Sequence, residues 1–119
     1  MRIAILSRGP NLYSTQSLFR AGFRRGHQME IIDYLNCNLV LERGRPYIYH
    51  GDRPLMDLDA VIPRIGASVT FYGAAVIQQF ELMGVYTAAR ADALLQARDK
   101  LRSLQLLAAA GMDIPRTFI

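Results

Sequence analysis

The stretch RIAILSRGPNLYSTQSLFRAGFRRGHQMEIID, residues 2–33, decides the fold. Arg2–Leu6 is a short apolar run, β-branched at Ile3 and Ile5, that stops on polar residues. Such a run reads as a strand buried on both faces. Gly9, Pro10 and Asn11 form a turn. From about Ser14 to Arg25, Leu18, Phe19, Gly22 and Phe23 recur at helical spacing among Arg20, Arg24 and Arg25. Gly26 stops that helix, and Met29–Ile32 is a second strand closed by Asp33. Strand, helix and strand joined by short connections predict a parallel βαβ unit of right-handed crossover.

Working outward, the segment from Val40 to Leu55 has a different character. Val40-Leu41 and Tyr47-Ile48-Tyr49 flank Glu42-Arg43-Gly44-Arg45-Pro46, and Gly51-Asp52 follows. This predicts a small antiparallel hairpin inserted in the α/β pattern. Ala60–Ile62 is expected as a third parallel strand, closed by Pro63. A helix from about Phe71 to Met83 follows, with Val76, Phe80 and Met83 on one stripe, and Gly84 ends it. Val85–Thr87 is a fourth short strand. Ala88–Gln96 is an Ala-rich segment. Asp99 is the expected N-cap of a last helix that runs to about Ala110, with Leu101, Leu104, Leu107 and Ala108 inward. Gly111 ends it. Asp113–Ile119 begins an extended segment, because Pro115 keeps Ile114 out of the α region. It looks like a buried strand and suggests that the native protein continues. The expected fold is thus α/β and Rossmann-like: an open four-stranded parallel sheet flanked by helices, in one domain spanning residues 1–119.

Composition narrows the function classes. At 119 residues the chain suits one domain. With 51% hydrophobic and 20% charged residues it has an ordinary globular balance. No apolar run approaches the roughly 20 residues of a membrane helix, and the N-terminal run is too short for a signal peptide. A single cysteine, Cys37, excludes an internal disulfide, and no Cys/His cluster has metal spacing. Cytoplasm is the expected location. The net charge is +4, and Lys100 is the one lysine among 14 basic residues. The arginines are scattered, so a nucleic-acid footprint is not expected. Pairing with anionic partners suits their planar forks.

In an open parallel sheet, ligands sit outside the carboxyl ends of the strands. Three loops should meet there, Ser7–Ser14, Asp33–Asn38 and Pro63–Thr70, bringing Ser7, Arg8, Tyr13, Asp33, Arg64 and Thr70 to one edge. The first loop, SRGPNLYS, is not a GxGxxG dinucleotide fingerprint: it has one glycine, and Pro10 lacks an N–H. Asp33 therefore reads as a turn or capping residue. Arg8 and Arg64 follow the first and third strands, and two guanidinium groups at one edge suit a carboxylate. Surface solvation, or an ion pair with Asp33 or Asp57, is the plainer alternative for these arginines. His27 and His50 are isolated and read as structural or solvent-facing.

Three strings carry a resemblance: RIAILSRGPNLYSTQSLFRAGFRRGH at 2–27, DAVIPRIGASVTFYG at 59–73 with QFELMG at 79–84, and ARDKLRSLQLLAAAGMDIPRT at 97–117. Together they resemble the N-terminal part of the RimK family of ATP-grasp α-L-glutamate ligases, whose type member modifies ribosomal protein S-six. The resemblance implies a pre-ATP-grasp domain, with the central and ATP-grasp domains absent from this chain. It implies ATP and Mg²⁺ (or Mn²⁺) as cofactors of the longer ligase, with none held tightly here. It implies that ATP phosphorylates a carboxylate and an amine attacks the acyl phosphate. Glutamate and an acceptor protein or peptide C-terminus are the implied partners, and self-association is common among such ligases. Lys100, in the DK string, is the implied ATP-phosphate ligand. Ser7, Arg8, Arg64 and Thr70 fall on the acceptor-substrate side. No catalytic or metal-ligating residue is expected in this chain, which should be inactive alone. Against this stand a free-standing α/β module whose basic edge docks an acidic partner, and a small nucleotide-binding regulator, which the missing glycine fingerprint disfavours.

Overall fold

From the N-terminus, the chain forms β1 (Arg2–Ser7), α1 (Tyr13–Arg24) and β2 (Gln28–Ile32), then an excursion of three strands, β3 (Cys37–Glu42), β4 (Arg45–His50) and β5 (Arg53–Pro54). It returns as β6 (Ala60–Arg64), α2 (Thr70–Leu82) and β7 (Tyr86–Thr87), and closes with α3 (Ala91–Arg98) and α4 (Lys100–Ala109). These elements come from a computed structural model that describes residues 1–119. The main sheet is parallel, with strand order β2-β1-β6-β7. The expected four-stranded α/β sheet is therefore present.

β1 lies at the centre because its apolar run can be covered on both faces. Ala4, Ile5 and Leu6 are fully buried. On the face that carries Ala4 and Leu6, α2 contributes Ala74, Val76, Ile77 and Phe80 to one core with Ile32 and Val61, while α1 packs against β1 as well. Fully burying side chains of this size stabilises by roughly 1.5–3 kcal/mol each. Gly26 and Gly84 adopt φ of 81° and 78° at the ends of α1 and α2, conformations that glycine takes without steric cost.

Several expectations need adjustment. First, the expected inserted hairpin is present as β3 and β4, and β5 extends it into a separate three-stranded antiparallel sheet. Its third strand is only two residues long and includes Pro54, so alternation could not reveal it. Gln79 fastens this sheet to α2, its Nε2 donating to the carbonyls of Val40 and Tyr47 at 3.0 Å each. Second, β6 does not end at Ile62 but runs through Pro63 and Arg64, in register with Leu6 and Ser7. β7 pairs only with Ala60 and Val61, so Pro63 sits where the strand has become an edge and its missing N–H costs no ladder bond. Third, α4 does not turn Leu101, Leu107 and Ala108 inward. All three are exposed and Leu104 is half-buried, because α3 is the main element packed against α4. Residues 112–119 form no strand, and Phe118 and Ile119 lie in the open.

Candidate functional site

The chain leaves β1 toward β2 on one side and returns to β6 on the other. Helices then diverge from the carboxyl ends of β1 and β6, and the crevice between them is where open α/β sheets bind ligands. Ser7 and Arg64, the last residues of these two strands, are register partners. A cleft of about 400 Å³ opens beside them, within the size range of small-molecule sites. Ser7, Thr15, Arg64, Ile65, Gly66 and Arg98 contribute to its lining.

Ser7 is buried and its hydroxyl is engaged within the fold. Its Oγ accepts from the Gly9 N–H at 3.1 Å and shares a hydrogen bond with Thr15 Oγ1 at 3.1 Å. The serine therefore fixes the first strand–helix loop and forms part of the cleft wall. Arg64 reaches to the start of α1, where its Nη2 donates to Ser14 Oγ at 2.8 Å. It pairs with neither Asp33 nor Asp57. Asp57 is taken by Arg2. Asp33 caps the turn at Tyr34–Asn36, accepting from the Leu35 N–H at 3.0 Å.

The turn after β6 is fastened on both sides of one peptide. The Gly66 N–H donates to Tyr34 Oη at 3.1 Å, and Tyr34 is fully buried. The Ile65 carbonyl accepts from Arg98 Nη2. Both polar atoms of the Ile65–Gly66 peptide are thus satisfied by side chains. α2 also approaches this turn closely. A Cβ on Gly73 would come within 2.3 Å of Ile65 Cγ2, so only glycine fits there. This gives a steric reason for the glycine that ends the string PRIGASVTFYG.

The other expected site residues lie outside the cleft lining. Arg8 is exposed on the first loop, and Tyr13 is exposed at the start of α1. Thr70 begins α2 and spends its hydroxyl on the Ala67 carbonyl at 3.0 Å. Lys100 is exposed at the first position of α4, whose cap is Asp99, accepting from the Arg102 N–H at 3.0 Å. The sequence reading missed Arg98. As the last residue of α3 it looks like an ordinary cation on a helix C-terminus. The available signal was that its i−4 and i−3 neighbours, Leu94 and Leu95, offer no carboxylate. Arg98 bonds the turn after β6 to the end of α3, two residues before Lys100.

No group of three or more His, Cys, Asp or Glu side chains is placed together in this structure. Burial, with the Asp33 carboxylate adding to it, pushes the Cys37 thiol up to about 11. A thiol held in its neutral form is a poor nucleophile. Tyr72, whose hydroxyl donates to the Cys37 carbonyl, is also shifted upward, chiefly by burial.

Comparison with known proteins agrees with this architecture. Residues 1–94 match the family model of the RimK PreATP-grasp domain. A probable alpha-L-glutamate ligase of Azotobacter vinelandii is 56% identical over 117 residues, covering 98% of this chain and 39% of that protein. Proteins of the same description from Pseudomonas putida and Saccharophagus degradans are 54% and 56% identical, with the same coverage. The chain thus spans about 39% of the length of these curated relatives. A crystal structure of a RimK domain protein ATP-grasp from Sphaerobacter thermophilus superposes with a TM-score of 0.72 over 98% of this chain and 40% of that one, at 22% identity, a likeness of fold. By its matched residues and its parallel sheet, the chain belongs to the RimK pre-ATP-grasp family.

Proposed function

We propose that this chain is the N-terminal domain of an ATP-dependent carboxylate–amine ligase that joins glutamate to the C-terminus of a protein or peptide, in the cytoplasm and as a self-associating enzyme. The observation that carries the reading is a juxtaposition. A cationic cleft at the carboxyl ends of β1 and β6 is bonded, through Arg98, to the helix junction that presents Lys100. ATP, with magnesium or manganese, supplies the phosphoryl group that activates a carboxylate. This chain's residues bind and orient. Arg64 offers a guanidinium fork to a substrate carboxylate, and Arg8 and Thr70 border the approach from the neighbouring loops. Ser7 holds the first loop in shape through Gly9 and Thr15. Lys100 brings one positive charge to a helix start, where backbone N–H groups also favour anions.

The acceptor of the type member is ribosomal protein S-six, and a protein C-terminus of that kind suits a cleft that is open and cationic. The reading is tested by following labelled glutamate into protein, with and without ATP, using the ligase that carries this chain. ATP-dependent incorporation is expected, and Lys100→Ala should depress it at least tenfold. Incorporation independent of ATP would overturn the reading, as would full activity of the Lys100→Ala variant. The 119-residue chain alone should leave ATP unhydrolysed.

A further inference from the structure

Two arginines line the strand-end cleft, and no aspartate or glutamate lines it with them. Neither Arg64 nor Arg98 takes part in an ion pair; the three ion pairs of the chain use Arg2, Arg53 and Arg90. Each cleft arginine commits one guanidinium nitrogen to an uncharged oxygen: Arg64 to Ser14 Oγ and Arg98 to the Ile65 carbonyl. A guanidinium carries five N–H donors in a rigid fork, so most of each fork stays available. The two side chains come from different elements, Arg64 from the end of β6 and Arg98 from the end of α3, and both line the cleft. Arg8, which the sequence put forward as the second cation, does not line the cleft.

The peptide of the turn is already engaged. The Ile65–Gly66 peptide has both its polar atoms engaged, by Arg98 and Tyr34. The Ser7 and Thr15 hydroxyls are bonded to each other. Recognition therefore falls to the two guanidinium groups, whose positive charges lie in one concave space without a counter-charge. Guanidinium forks match carboxylates bidentately, and two forks lining one cleft match a ligand with two carboxylates.

We propose that Arg64 and Arg98 are the two arms of a clamp for a dicarboxylate in the strand-end cleft, with Arg98 as the previously unassigned arm. The proposal rests on the ligase reading for its biological setting and deepens it by naming the chemical class of the ligand: an acidic amino acid, or a chain terminus carrying a second carboxylate. Arg98 has a second task, because the fork that meets the ligand also holds the Ile65 carbonyl and so the shape of the turn.

The test uses the 119-residue chain and glutarate as the probe, followed by amide chemical shifts in NMR, without ATP. Glutarate should bind saturably and perturb Gly66 and its neighbours, while glutaramide, its neutral counterpart, should not. Arg64→Gln and Arg98→Gln should each weaken glutarate binding at least tenfold. The glutamine at position 98 retains an N–H donor for the turn, and Arg64→Gln leaves the turn's bonds in place, so a folding defect in one variant leaves the other to decide. Arg25→Ala, on the far end of α1 and bonded only to the Ala21 carbonyl, is the control and should bind as the parent does. Equal binding of glutaramide and glutarate would overturn the clamp, as would unchanged glutarate affinity in folded Arg98→Gln or Arg64→Gln. Because ATP is absent, such a failure counts against the clamp and leaves the ligase reading to the glutamate-incorporation assay.

Discussion

The sheet half of the molecule and its helical tail are built from similar apolar content and end up in opposite states. In residues 2–87, apolar side chains of β1, β6 and α2 interdigitate into one core, with Leu6, Val61, Ile77 and Phe80 wholly shielded from water. In α4 no residue is buried, and Leu101, Leu106 and Leu107 are all more than a third exposed. The difference is one of partners rather than of composition. β1 and β6 have an opposing helix, whereas α4 has mainly α3. The lesson concerns function as well. The cleft stands on the half that is over-determined, while Lys100 stands on the half that is not. Arg98 is the side chain that ties the second to the first.

This contrast is sharpened first by cavity-forming substitutions. Phe80→Ala should destabilise the chain by about 3–5 kcal/mol, the usual range for a core aromatic. Leu107→Ala, at an exposed site, should stay within about 0.5 kcal/mol. Urea titration of the two variants compares them directly, and similar losses would erase the distinction between the halves. Next comes the packing of the turn. Gly73→Ala puts a methyl against Ile65 and should cost about 1–3 kcal/mol, the range for an overpacked core. Tyr34→Phe removes the hydroxyl that accepts from the Gly66 N–H, a part-buried bond, and should cost about 1 kcal/mol. At the tail, Asp99→Ala removes the cap of α4 and should cost about 0.5–2 kcal/mol. That loss should appear as fraying of α4 in hydrogen exchange, with β1 and β6 protection unchanged.

A further contrast is a pH dependence confined to the sheet half. The Cys37 thiol moves from 9.0 to about 11 on folding, so the folded state keeps its proton where the unfolded chain loses it. Stability from this group is complete below pH 9.0 and declines as pH rises toward about 11. Cys37→Ala should flatten that decline in denaturant titrations at alkaline pH. A slope unchanged by the substitution would place the titration elsewhere.

Much of the fold was legible because local signals and core position agreed. The β1–α1–β2 unit, the glycine stops at Gly26 and Gly84 and the Asp99 cap all follow from short-range rules that the tertiary structure leaves intact. What failed were features set by neighbours far away in sequence. The length of β6 depends on where β7 stops. The face of α4 depends on what lies opposite it, and spacing alone cannot say that α3 is its main partner. The site followed the same division. Ser7 and Arg64 could be placed beside the strand-end cleft because strand ends are predictable. Arg98 was not, since its role comes from a bond to a residue 33 positions away, a contact no periodicity encodes.

The central claim is that the strand-end cleft and the Lys100 helix start serve two different ligands. Steady-state kinetics of the ligase carrying this chain, with Arg64→Ala and Lys100→Ala measured side by side against ATP and against glutamate and acceptor, tests it most directly. The account predicts a split: Arg64→Ala raises KM for glutamate or acceptor at least tenfold and leaves KM for ATP in place, while Lys100→Ala raises KM for ATP. Both variants moving the same KM, or neither moving any, would contradict it.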